Sequence, residues 1–224
     1  DAGVLRLPEA GDDPPTLLAG DDSGRIYAAG RAQSWRVAGD EVRRCDVGGE
    51  ALAVDDEGGV VLATGGELVG IDFEPVGCAR RFRLDEEGLR LRGRFAAFAG
   101  GRLWVAPLRV GPDRLLTAYE PDGRKAPVQL GKEGERDPIV RTRALLGDQR
   151  SLAVVDAHAR RLRFFAADGS RRGSIDLLRL LDLPLPWVAG ATRSREGVAF
   201  LAVGHERGER SGLFEGLLFR VQGL

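Results

Sequence analysis

The residues able to do acid–base or metal chemistry are few. The chain holds two histidines, His158 and His205. Each follows an apolar segment and has a carboxylate close by, Asp156 and Glu206 respectively. Two imidazoles with two carboxylates are a donor set that suits a transition metal. Neither loop has a close ligand pair such as H-x-x-x-H, however, so two exposed loop histidines are the simpler reading. Asp21-Asp22 and Asp55-Asp56 could hold a hard cation. They also stand where aspartate caps the backbone N–H groups of a tight turn, and that reading is preferred. No G-x-S-x-G, H-E-x-x-H or P-loop pattern occurs. The glycine pairs at 48–49, 58–59, 65–66 and 100–101 lack the following helix a phosphate site uses. The expectation is a chain that is not an enzyme, with no catalytic residue, no metal and no cofactor.

What would position these residues is a repeat. Short apolar segments begin at Ile26, Val60, Leu103, Leu152 and Val198, between 34 and 49 residues apart. That spacing fits one four-stranded propeller blade per unit. An earlier strand precedes each (from Thr16, Ala51, Phe95, Arg143 and Trp187), and a third follows (from Ser34, Leu68, Leu115, Leu162 and Leu217). Asp-Gly in EPDG and AADG supplies the positive φ of tight hairpins. Fourth strands follow in the first four units: VRRCDV, CARRFRL, APVQL and GSIDL. The fifth unit lacks one, whereas VLRLP at residues 4–8 is a spare strand. Pairing 4–8 with 217–221 would complete the last sheet and remove its open edge.

The expected fold is therefore all-β, a single β-propeller domain over residues 1–224. Five four-stranded blades are favoured, at about 16–47, 51–84, 95–130, 143–177 and 187–221 plus 4–8. Six blades, one of them degenerate, is the alternative. The segment Ser174–Trp187 carries six leucines and a tryptophan, more than a fourth strand needs. A short helix at the outer edge would account for it, either packed as core or exposed as a docking patch.

Composition narrows the partners. Hydrophobic residues at 43% and charged residues at 30% are ordinary for a soluble globule. A net charge of −1 recruits neither nucleic acid nor an anionic membrane. No apolar run is long enough for a transmembrane helix, so no membrane insertion is expected. Lys125 and Lys132 are the sole lysines, and methionine and asparagine are absent. A GC-rich genome explains this, and so does selection for heat. The start at Asp1 suggests a removed signal peptide or a trimmed chain. Cys45 and Cys78 are an even pair, open between a disulfide and two half-buried thiols. An extracytoplasmic place (secreted, periplasmic or cell surface) is expected.

Residues 151–173, SLAVVDAHARRLRFFAADGSRRG, resemble an NHL repeat. The valine-rich strand, Asp156, Arg161, Phe165 and Asp168-Gly169 fall where that family's pattern places them. Residues 100–123 are a looser copy, and the remaining units match by rhythm alone. The resemblance implies a ring-shaped binding platform more often than an enzyme. The metal site of some six-bladed relatives resembles a set of Glu, Asn and Asp side chains, which a chain without asparagine does not reproduce.

Binding loops are then the remaining candidates. On the face that carries the histidines they offer Arg31, Arg109, Arg114, His158, Arg160, His205, Glu206 and Arg207, with Trp187 in the leucine-rich segment. Mixed charge of this kind suits a protein partner better than a polyanion. The expected function is a non-catalytic, exported protein-binding or structural propeller, an accessory subunit of a larger assembly or surface complex. Two alternatives stand beside it. One is a metal-dependent hydrolase or lyase at the channel mouth. The other is a glycan-binding propeller that stacks sugars on Trp35, Trp104 and Trp187, so a small-molecule ligand stays open.

Overall fold

The computed structural model describes residues 13–21, 23–55, 59–64, 67–74, 78–84, 94–107, 109–111, 115–131, 138–181, 187–193, 199–206 and 214–221. It divides into two compact units, Asp1–Gly93 and Arg94–Leu224. Every paired strand in both units runs antiparallel to its neighbour in sequence. This is the β-propeller pattern that the repeat predicts.

The first unit holds two four-stranded sheets. One is β1 (Leu17–Gly20), β2 (Ile26–Ala29), β3 (Ser34–Ala38) and β4 (Glu41–Cys45). The other is β5 (Ala51–Val54), β6 (Val60–Thr64), β7 (Glu67–Phe73) and β8 (Cys78–Leu84). Alternation of small and branched residues turns one face of each sheet inward, and Tyr27, Leu62, Val69, Ile71 and Phe73 interlock there. The Tyr27 and Phe73 rings lie 6.0 Å apart and tilted, a favourable aromatic geometry.

A disulfide joins Cys45 at the end of β4 to Cys78 at the start of β8, with a Cα–Cα distance of 5.4 Å. The two cysteines are thus bonded rather than separate thiols. The bridge closes a loop of sequence separation 33 across the outermost strands of both sheets. Its main effect is to restrict the unfolded chain. Converting both cysteines to alanine is expected to cost about 2–4 kcal/mol, read as a lower urea midpoint. Reductant should reproduce that loss in the native chain and have no effect on the double variant.

The second unit begins with β9 (Arg94–Ala99), β10 (Arg102–Pro107), β11 (Leu116–Tyr119) and β12 (Lys125–Leu130). A second sheet follows, β13 (Thr142–Gly147), β14 (Ser151–Asp156), β15 (Arg161–Ala166) and β16 (Arg171–Asp176). The helix α1 (Leu177–Leu181) leads to β17 (Trp187–Arg193), β18 (Ala199–Glu206) and β19 (Phe214–Val221). Strands β9, β13 and β17 lie side by side, as innermost blade strands must. Trp104, Leu116, Leu145, Leu152 and Phe165 fill the space between the first two sheets. Leu146, Val155, Leu162, Leu177, Leu181 and Val188 form a second cluster under the helix.

The leucine-rich segment does both things the sequence allows. Leu177 and Leu181, one turn apart, are buried, while Leu178 and Leu180 are exposed. Trp35 and Trp104 are fully buried, so neither offers a stacking surface to a sugar.

The blade count is corrected. Four complete four-stranded sheets are present among the described residues, and the last sheet has three strands. Neither five four-stranded blades nor six are seen. The fifth four-stranded blade depended on a long-range pairing with residues 4–8, which no local repeat encodes. The spare strand 4–8, which would close the ring on 217–221, lies outside the described residues.

Candidate functional site

The loops between second and third strands carry most of the candidate residues. Arg31 lies in the β2–β3 loop of the first unit and is exposed. Its backbone N–H donates to Asp13 at 2.8 Å, and those of Ala32 and Gln33 donate to the same carboxylate. These backbone bonds, Ala32 and Arg31 foremost, hold the Asp13 carboxyl below its ordinary range. Arg109 is exposed in the β10–β11 loop, and His158 is exposed in the β14–β15 loop. Arg160 is half-buried with φ 50°, a left-handed backbone that only a few non-glycine residues adopt. Its carbonyl accepts the Leu177 N–H and so starts α1. Glu206 ends β18, where His205 pairs with Glu215 and Glu206 with Phe214. Trp187 opens β17 opposite Gly204. Arg114 and Arg207 lie outside the described residues.

Asp156 is the centre of this region, and it is not a metal ligand in waiting. Its side chain is completely buried, as is that of Arg163. The Arg163 guanidinium donates Nη2 and Nε to Asp156 Oδ2 at 3.0 and 3.2 Å, and Nη2 also donates to the Pro138 carbonyl at 3.1 Å. The backbone N–H groups of Val140, Arg141, His158 and Ala159 complete the carboxylate's shell at 3.2–3.3 Å. One buried ion pair therefore ties the segment before β13 to the β14–β15 loop. A buried charge tolerates such a place only when paired and fully hydrogen-bonded.

Three loops meet there. The Val110 N–H donates to the Val140 carbonyl at 3.0 Å, and the Ala157 N–H to the Arg141 carbonyl at 2.8 Å. The backbones next to Arg109, at Arg141 and next to His158 are thereby joined along one seam. Arg31 belongs to the first unit. Residues Arg141, Val140 and Arg163 are ones the sequence reading misses.

The other aspartates behave as turn caps. Asp21 accepts from the backbone and hydroxyl of Ser23, from Arg25 and from the Tyr27 hydroxyl. Burial alone would raise its carboxyl, but the Ser23, Arg25 and Tyr27 bonds outweigh that and lower it. Burial and the Asp21 bond push the Tyr27 hydroxyl up to about 12. Asp55 accepts from the Gly59 N–H, and Asp122, Asp148 and Asp168 each cap the residue two further on. Asp22 and Asp56 lie outside the described residues. Among those described, no three metal-ligating side chains converge.

No protein-family model matches the sequence, and no curated protein does. Solved structures do. A streptogramin B lyase matches with a TM-score of 0.58 at 11% identity, over 88% of this chain and 63% of that one. The glutaminyl cyclase of Myxococcus xanthus matches with a TM-score of 0.56 at 18% identity, over 94% and 92% of the two chains. A chain of the nidogen/laminin complex matches with a TM-score of 0.59 at 15% identity, over 84% and 73%. This chain thus spans less than two thirds of the lyase. At these identities the likeness is one of fold: a β-propeller with NHL-like repeats. The expectation that the chain is not an enzyme is corrected by the first two, since this architecture serves enzymes as well as binding proteins.

Proposed function

We propose that the chain is an extracytoplasmic protein-binding propeller, an accessory subunit of a larger assembly, whose contact surface is the loop seam of the second unit. Arg109, Arg141, His158 and Arg160 make the contacts. One observation carries the reading: a fully buried Asp156–Arg163 pair, with four further backbone bonds, is devoted to holding exposed loops still. Rigid loops bind a partner at lower entropic cost than mobile ones. The fold argues neither for nor against catalysis, so the reading rests on the seam. The nidogen/laminin structure supports it only in that a protein of similar fold sits in a protein complex. The Cys45–Cys78 disulfide supports an oxidising compartment.

The test is capture from the native source with purified wild type and an Arg109→Glu/His158→Glu variant, both of unchanged melting temperature. A defined protein held stoichiometrically by wild type and lost by the variant is expected. Equal capture by both would overturn the seam as the contact surface, and so would stoichiometric capture by neither.

A further inference from the structure

Charge on the seam identifies the partner's chemistry. Arg109 and Arg141 are exposed, Arg160 is half-buried, and none has a carboxylate partner among the described residues. Asp156, whose carboxylate binds the backbone of Arg141 and His158, is itself buried and paired with Arg163. At the opposite end of the same blades the pattern differs, because Arg102 pairs with Glu120 at 3.0 Å and Arg124 with Asp122 at 2.6 Å. Arginine close to local acids is self-satisfied; arginine without one leaves its planar fork open to a bidentate carboxylate. Val140, 37% exposed, precedes Arg141, and its carbonyl accepts the N–H of Val110, the residue after Arg109. The seam thus joins the backbone of an exposed valine to that of two exposed arginines.

We infer that this seam binds an acidic peptide segment of a partner protein, one aliphatic residue flanked by carboxylates, and the inference rests on the seam being the contact surface. Val140 takes the aliphatic side chain, and Arg109 and Arg141 take the carboxylates on its two sides. His158, beside Arg141 through the Ala157 bond, extends the same patch.

Fluorescence anisotropy with labelled peptides tests this on the full chain. The probe is Glu-Glu-Leu-Glu-Glu, with Glu-Glu-Ser-Glu-Glu and Ser-Ser-Leu-Ser-Ser as comparisons. The leucine-centred acidic peptide should bind, weaken with salt, and exceed both comparison peptides in affinity. Arg109→Ser and Arg141→Ser should each weaken it at least about tenfold, a loss expected for a charged hydrogen-bond pair. Arg150→Ser removes an exposed arginine at the opposite end of the blade and should leave it unchanged. Equal losses from Arg150→Ser, or no binding at low salt, would overturn the inference. Tighter binding of heparin than of the peptide at the same seam would also overturn it, in favour of a polyanion. If the native partner is lost by the seam variant yet presents no acidic segment, the inference fails while the binding surface stands. Peptide binding at the seam with native capture unaffected would sink the contact surface instead.

Discussion

Replacing Arg163 with methionine is expected to destabilise the second unit by about 3–5 kcal/mol, a lowering of its melting temperature on the order of 10 °C. Methionine fills the volume of the arginine stem, so the loss is electrostatic rather than steric. It leaves the Asp156 carboxylate fully buried with its backbone bonds but no counter-charge. Asp156→Asn is expected to cost as much, because its amide would place a donor against the guanidinium. Replacing both residues with apolar ones often restores stability at a buried pair. Here it should not, since the backbone N–H groups of Val140, Arg141, His158 and Ala159 would then lose their common acceptor. Hydrogen exchange gives the decisive readout: those four amides should lose protection in Asp156→Ala far more than amides in mid-strand β14. Arg143→Met removes one bond among the described residues, from Nε to the Val188 carbonyl at 3.2 Å, and should cost about 1 kcal/mol. A loss for Arg163→Met as small as that for Arg143→Met would show that the pair does not organise the seam.

This pair was written in the sequence, though not in the features that drew attention. Leu152, Val154 and Asp156 share one face of β14, and Arg161, Arg163 and Phe165 share the facing side of β15. An aspartate diagonal to an arginine that is itself opposite Val154 and two residues from Phe165 signals a buried pair. The pattern of arginines reads instead as a solvated strand face, because charge is usually exposed. The hairpins were legible because Asp-Gly turns and period-two alternation are local. Gly123 and Gly169 do take positive φ where the turns require it. Fourth strands were least legible: β16 keeps no residue fully buried, so hydrophobicity hardly marks it. The seam depends on bonds between residues 110 and 140 and between 141 and 157, pairings that no local pattern encodes. The loop residues could be named from sequence, but which of them meet could not.

Gly147→Ala is expected to destabilise the second unit by about 3 kcal/mol or more, at or beyond the upper end of ordinary overpacking. Gly147 ends β13, where it crosses β9 so closely that an added Cβ would lie 1.8 Å from the Phe98 carbonyl oxygen and 2.7 Å from its carbon. Ordinary contact begins near 3.4 Å, so one strand must retreat by more than an ångström. The obstacle is backbone, held by the Phe98–Leu103 pairing of β9 and β10, and no rotamer change relieves it. Gly100 makes the contrast, since a Cβ there would meet the Ala167 methyl at 2.2 Å. Gly100→Ala should therefore be partly rescued by Ala167→Gly, the remainder reflecting the positive φ of 60° at Gly100. Gly147→Ala should resist rescue by shortening Ala99, whose Cβ stands farther off at 3.1 Å. Gly173→Ala, on the outer strand β16 with nothing within 4 Å, should change stability by no more than about 0.5 kcal/mol. Chemical unfolding of these variants decides the matter. If Gly147→Ala melts with the Gly173→Ala control, the innermost strands do not approach as closely as described, and the blades' packing at β9 and β13 is wrong.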